Sequence, residues 1–265
     1  MYQPNPPRPP HETLPTMYDL PSELIGESGL PDEFHRIQAE LLSETCQPPQ
    51  YSREEILLAS DLNLYYDPRH PLWYKRPDWY LVLGVPGANQ LQDLRLSYLV
   101  WQEGVDPFLV VELLSPGTEQ DDLGKTLREV NQPPTKWEVY EIILRIPYYV
   151  VYDRYENNLR AFQIIGTHYE AISITENRFW LSDLELGLGL WEGTYQQTTG
   201  LWLRWYNADG WLPTLAERAQ QERQRARQES QRAELERQRA EQERQRADKL
   251  AEYLRSQGID PDNLP

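Results

Sequence analysis

"DPFLVVELLSPGT", residues 106–118, reads as a β-strand with a carboxylate set inside it. Strand alternation puts Phe108, Val110, Glu112 and Leu114 on one face and Leu109, Val111 and Leu113 on the other. Glu112 is then an ionisable group in the middle of an apolar strand. A buried carboxylate is costly unless it is ion-paired, hydrogen-bonded or bound to a metal, so the position demands a partner. An arginine inside the fold would serve, and so would a cation.

A second carboxylate makes the cation the sharper reading. In "RPDWYLVLGV", residues 76–85, Asp78 stands at the mouth of another apolar run. Alone it would be an ordinary turn residue after Pro77. Beside Glu112 on a neighbouring strand, it completes a pair that could converge on one divalent metal. Hard cations such as magnesium are held by one or two carboxylates with water and substrate phosphate, and need neither histidine nor cysteine. A nearby lysine would position or deprotonate the attacking water and balance charge in the transition state.

Working outward, "LNLYY" and "LSYLVW" join these two runs as expected consecutive strands of one sheet. Before them, "PDEFHRIQAELLSETC" spaces Phe34, Ile37, Leu41 and Leu42 for a packing helix, with Glu40 as a candidate supporting residue. After them, "EQDDLGKTLREVNQPPTKWEVYEIILRI" is helix-like but interrupted at "NQPP". Its second part, from about Pro134, puts Trp137, Tyr140 and Leu144 on one helical face. "PYYVVYD", "NLRAFQII" and "HYEAISI" follow as strands, then a Trp-rich stretch to about residue 212. Strands, helix, strands predict a mixed α/β domain with a helix laid across a sheet.

"RPDWYLV", "VVELLSPGT" and "KWEVYEIILRIPYYVVYD" together resemble the Uma-two family of endonucleases, members of the PD-(D/E)xK superfamily with a restriction-endonuclease-like fold. The resemblance spans about residues 20–190. It implies a core sheet flanked by helices, and hydrolysis of nucleic acid, DNA first, with Mg or Mn. By the same resemblance Asp78 and Glu112 are the metal carboxylates, and Ser115 and Pro116 belong to the loop after the second. The superfamily lysine would stand two residues after Glu112, where this chain has Leu114. Variants of the family take it from the next helix in a K-x-x-x-Y arrangement, which "KWEVY" offers as Lys136 with Tyr140. "DDLGK" offers Lys125 instead, with Asp121 before it. Lys136 is preferred, because it alone keeps its tyrosine and its distance to the "PYYVVYD" strand.

Other chemistries find little support. The four histidines, His11, His35, His70 and His168, show no ligand spacing, and no Walker loop, nucleophile elbow or dinucleotide fingerprint occurs. The single cysteine, Cys46, provides neither a disulfide framework nor a cysteine zinc site and fits a reducing cytosol. Without a signal-type apolar core or a long apolar run, the protein is expected to be soluble and cytoplasmic, with no membrane partner.

Residues 1–30 are Pro-rich and expected to be extended or disordered, 31–212 to form the nuclease-like domain, 213–257 a helical tail and 258–265 a disordered end. In the tail, Ala219, Ala226, Ala233, Ala240, Ala247 and Leu254 recur every seven residues, and Glu222, Glu229, Glu236 and Glu243 each have an arginine three residues on. Such pairs favour a long helix. Glutamate where a coiled coil wants its second apolar position predicts a solvated helix or weak alanine-seamed homo-oligomer. Residues 215–257 hold eleven of the 26 basic and nine of the 42 acidic side chains, so the rest of the chain carries 15 against 33, a net charge of -18. That charge opposes broad affinity for phosphate backbones. It keeps a second reading in view: a nuclease fold without activity, assembled through its tail as an adaptor.

Overall fold

A computed structural model describes residues 14–16, 33–88, 90–114, 122–124 and 132–258. Most of the Pro-rich stretch, Ser115, Pro116, Asp121, Lys125 and the end from 259 lie outside the described residues. Two compact units divide the chain, one ending at Leu212 and one beginning at Pro213.

The first unit opens with helix α1 (Glu33–Thr45), followed by strands β1 (Ile56–Ala59), β2 (Leu64–Tyr65), β3 (Tyr74–Lys75), β4 (Trp79–Leu83) and β5 (Tyr98–Leu99). A turn of helix α2 (Val100–Glu103) precedes β6 (Leu109–Leu113), and α3 (Lys136–Glu138) runs straight into a π-helical turn at Val139–Ile143. Strands β7 (Tyr148–Asp153), β8 (Asn158–Ile165), β9 (His168–Ala171), β10 (Arg178–Leu181), β11 (Leu186–Tyr195), β12 (Thr198–Asn207) and β13 (Gly210–Trp211) complete it.

The central sheet has the order β1-β4-β6-β7-β8-β9, with β6 and β7 parallel and every other pair antiparallel. A parallel pair needs a long crossover. Residues 114–147 supply it and carry α3 onto one face of the sheet. Both faces are covered, which is why the strands read as near-continuous apolar runs. On one side Trp79, Leu81, Leu109, Val111 and Val150 pack with Ala39 and Leu42 of α1 and with Leu188, Leu203 and Trp205 of a second sheet, β10-β11-β12-β13. On the other, Tyr80, Val82, Val110, Tyr149 and Val151 pack under Val139, Tyr140 and Leu144. Each such fully buried side chain contributes about 1.5–3 kcal/mol.

The structure departs from the sequence reading in several places. "LNLYY" and "LSYLVW" do not join the main sheet: β2 pairs with β3 on one side and with β5 on the other, in a small sheet of their own. Their pairings are two residues long, too short for the run of apolar residues to specify a partner. The edge strand β1 lies in "ILLA", a run that periodicity passed over. Phe108 packs on the face opposite Glu112, because it precedes the strand and escapes its alternation. The helix after "NQPP" begins at Lys136 behind the Thr135 cap, with Pro134 outside it.

The second unit is one helix, α4 (Leu215–Ser256), closed at its start by a reciprocal cap. Thr214 Oγ1 accepts the Glu217 N–H at 3.2 Å, and the Glu217 carboxylate accepts the Thr214 N–H at 2.7 Å. None of its residues is buried. Among the described residues, no helix is long and apolar enough to cross a membrane.

Candidate functional site

The pairing of β4 with β6 sets Trp79 opposite Val111 and Tyr80 opposite Val110. Continuing that register by one residue brings Asp78 opposite Glu112. Asp78 then leans on β6 twice: its Oδ2 accepts the Leu113 N–H at 2.6 Å, and its own N–H points at Glu112 Oε2 at 3.4 Å. The carboxylate at the mouth of β4 is thus tied to the residue flanking the carboxylate inside β6.

The crossover supplies what Glu112 needs. Thr135 and Glu138 form a reciprocal cap, with the Glu138 N–H donating to Thr135 Oγ1 at 3.1 Å and the Thr135 N–H donating to Glu138 Oε2 at 2.7 Å. The cap fixes where the helix begins, and positions four apart share a face. Lys136 and Tyr140 therefore both reach Glu112: the ammonium lies 2.9 Å from Oε2, and the phenol donates to Oε1 at 2.9 Å. Just beyond, the helix widens into its π turn, where the Leu144 N–H bonds the Val139 carbonyl five residues back at 2.9 Å. The widening lets three consecutive side chains, Val139, Tyr140 and Glu141, all be buried. Glu141 uses its place to accept the Tyr169 N–H at 2.7 Å, tying the turn to the β8–β9 hairpin.

A third carboxyl group completes the cluster. Asp122 Oδ1 lies 2.9 Å from the Lys136 ammonium, and the Tyr149 phenol holds the Asp122 carbonyl at 2.8 Å. Two carboxyl groups thus contact one ammonium, and Asp78 acts on it from farther away. Glu112 is fully buried, which pushes its pKa well above the usual glutamate value; Lys136 opposes the shift, while Asp78 and Asp122 add to it. For Lys136, burial works against the charge but Glu112, Asp122 and Asp78 outweigh it, so the amine is held protonated beyond its ordinary range. Burial and the neighbouring Glu112 push the Tyr140 phenol well up, so it stays a neutral donor.

These groups fit a hard divalent cation in one specific sense. Asp78 and Glu112 offer carboxylate oxygens in surroundings with more negative than positive charge, and a cation would relieve the excess. Among the described residues no three His, Cys, Asp or Glu side chains are arranged to cage a metal. The donor set suits an ion that keeps part of its water shell, such as magnesium, and not a zinc enclosed by protein.

Two residues of this region escaped the sequence reading. Asp122 stands next to Asp121 in "DDLGK", where the pattern assigns only Asp121, as the acid before Lys125. His35 has no ligand spacing to the other histidines in the sequence. It lies on the apolar stripe of α1 and is buried, with Nε2 2.8 Å from the Leu113 carbonyl oxygen and 4.0 Å from Asp78 Oδ2. Glu40 stands apart from the cluster, accepting Arg36 Nη1 at 2.8 Å and the Gln196 amide. Ser115 and Lys125 fall outside the described residues.

The family model Uma2, described as "Putative restriction endonuclease", matches residues 11–197. Among solved structures, the chain is similar to the crystal structure of "a putative nuclease belonging to DUF820" from Anabaena variabilis ATCC 29413, with 16% sequence identity, 60% of this chain and 78% of that chain covered, and a TM-score of 0.36. No curated protein matches the chain.

Proposed function

The chain belongs to the Uma2 family of restriction-endonuclease type, and from that membership we propose that it hydrolyses phosphodiester bonds of nucleic acid, DNA first, with Mg or Mn held by Asp78 and Glu112. The observation that carries this reading is the Lys136 ammonium 2.9 Å from Oε2 of a fully buried Glu112. When bound, the cation would polarise a phosphoryl oxygen and acidify a neighbouring water.

The chain's own groups have separable parts. The Leu113 N–H fixes Asp78, and the Tyr140 hydroxyl fixes Glu112, so neither carboxylate has to reorganise to take a cation. Lys136, kept as an ammonium by its carboxyl neighbours, orients the attacking water and offsets charge that builds on the phosphate. A lysine held protonated in this way is a poor proton acceptor, which removes general-base duty from its part.

A second reading, an inactive nuclease-fold adaptor assembled through its tail, is favoured by one observation: the net charge of -18 outside residues 215–257. Cleavage assays on DNA and RNA at low salt with magnesium or manganese separate the two. The nuclease reading expects wild type to cut, folded Lys136→Ala to be inert, and Lys125→Ala to be affected mildly. An inert wild type would favour the adaptor. Loss of cleavage in Lys125→Ala alone would leave the nuclease and replace its lysine.

A further inference from the structure

Asp78 is reached from the α1 side of the sheet. A cavity of about 420 Å³ opens there, lined by Glu33, His35, Arg36 and Glu40 of the helix and by Asp61 and Asp78. Glu112 is fully buried, whereas the Asp78 side chain keeps 21% of its exposure, so this cavity touches the carboxylate pair through Asp78. The hollow is preformed: the His35 bond to the Leu113 carbonyl pins α1 against β6, fixing the distance between the helical wall and Asp78.

Size and charge then restrict what enters. A volume at the lower end of the roughly 300–1,000 Å³ range of small-molecule sites admits one nucleotide but not an intact double helix. Glu33, Glu40, Asp61 and Asp78 make the lining hostile to phosphate, and Arg36 is the one guanidinium among the lining residues. Arg36 is at present paired with Glu40 through one of its nitrogens. The Gln196 amide holds the other oxygen of Glu40, so Glu40 stays in place if Arg36 turns away from it. Guanidinium binds phosphate in a two-pronged geometry that a single contact to Glu40 leaves unused.

Resting on the nuclease reading, we propose that this cavity takes one unstacked nucleotide of a single strand, with Arg36 exchanging Glu40 for a backbone phosphate next to the one that is cut. The substrate class is therefore single-stranded or locally opened nucleic acid.

Fluorescence anisotropy with the full chain tests this, using a short labelled DNA strand and the same strand in duplex, with calcium replacing magnesium to prevent cutting. Single strand is expected to bind at least about tenfold tighter than duplex. Arg36→Gln should lose about tenfold in single-strand affinity, the loss of one charge-assisted contact, and its dependence of log affinity on log salt should flatten by about 0.7. Arg36→Lys should recover part of the loss, and Glu40→Gln should bind more tightly than wild type. Duplex bound as tightly as single strand, or an Arg36→Gln protein that binds normally, overturns the proposal. If wild type still cleaves in either of those cases, the nuclease reading survives without it. Absence of both binding and cleavage in wild type overturns both.

Discussion

The cluster around Glu112 and the helix 215–256 are both dense in charge, and the chain treats the two charges in opposite ways. Glu112, Asp122, Lys136 and Tyr140 are held by contacts at 2.9 Å, drawn from one strand, one short turn and one capped helix. In α4 eleven basic and nine acidic side chains lie between 215 and 257, and no residue of the helix is buried. Charge out of water needs a specified partner; charge in water needs only the right average. The first kind can do chemistry because each group is already held in position. The second kind keeps a helix soluble.

Removing a partner should therefore cost far more in one region than in the other. Lys136→Ala leaves two buried carboxyl groups without their cation and should destabilise the first unit by about 3–5 kcal/mol in chemical denaturation. Tyr140→Phe keeps the ring and its packing and removes only the donor to Oε1 of Glu112, for about 1.5–3 kcal/mol. A smaller effect should appear in pH titrations of stability. Because burial raises Glu112 above its ordinary 4.5, the folded chain keeps a proton there that the unfolded chain has lost. Unfolding free energy should fall as pH rises from 4.5 through the raised value, by at most about 1.4 kcal/mol per pH unit. Glu112→Gln should erase that slope.

The smallest effect belongs to the tail. Ending the chain after Pro213 should move the thermal transition of the first unit by no more than about 4 °C, because α4 offers alanine as its only regular apolar stripe. Loss of cooperative unfolding in that truncation would erase the contrast between the regions.

Legibility followed the same divide. Glu112 stood out because strand alternation set a carboxylate among Val110, Leu114 and their neighbours, while Lys136 and Tyr140 were legible only through the family resemblance, whose K-x-x-x-Y arrangement "KWEVY" matches. The tail helix was readable from its seven-residue alanine repeat. Asp122 and His35 were not, since what makes them notable is the approach of segments distant in sequence: Asp122 to Lys136, and His35 to Leu113 across 78 positions. The small sheet of β2, β3 and β5 was hidden for a related reason. Two-residue pairings are selected by the surrounding packing, and a local hydrophobic run says nothing of which edge it will join. The π turn left no periodic trace either, because it inserts its extra residue where Tyr140 and Glu141 both find buried partners.

Calorimetric titration of manganese into wild type, Asp78→Asn and Glu112→Gln tests the central claim most directly. A site made by these two carboxylates predicts a saturable heat in wild type that is lost or strongly weakened in both variants, with each variant's fold checked by circular dichroism. Equal heats in all three proteins would contradict it.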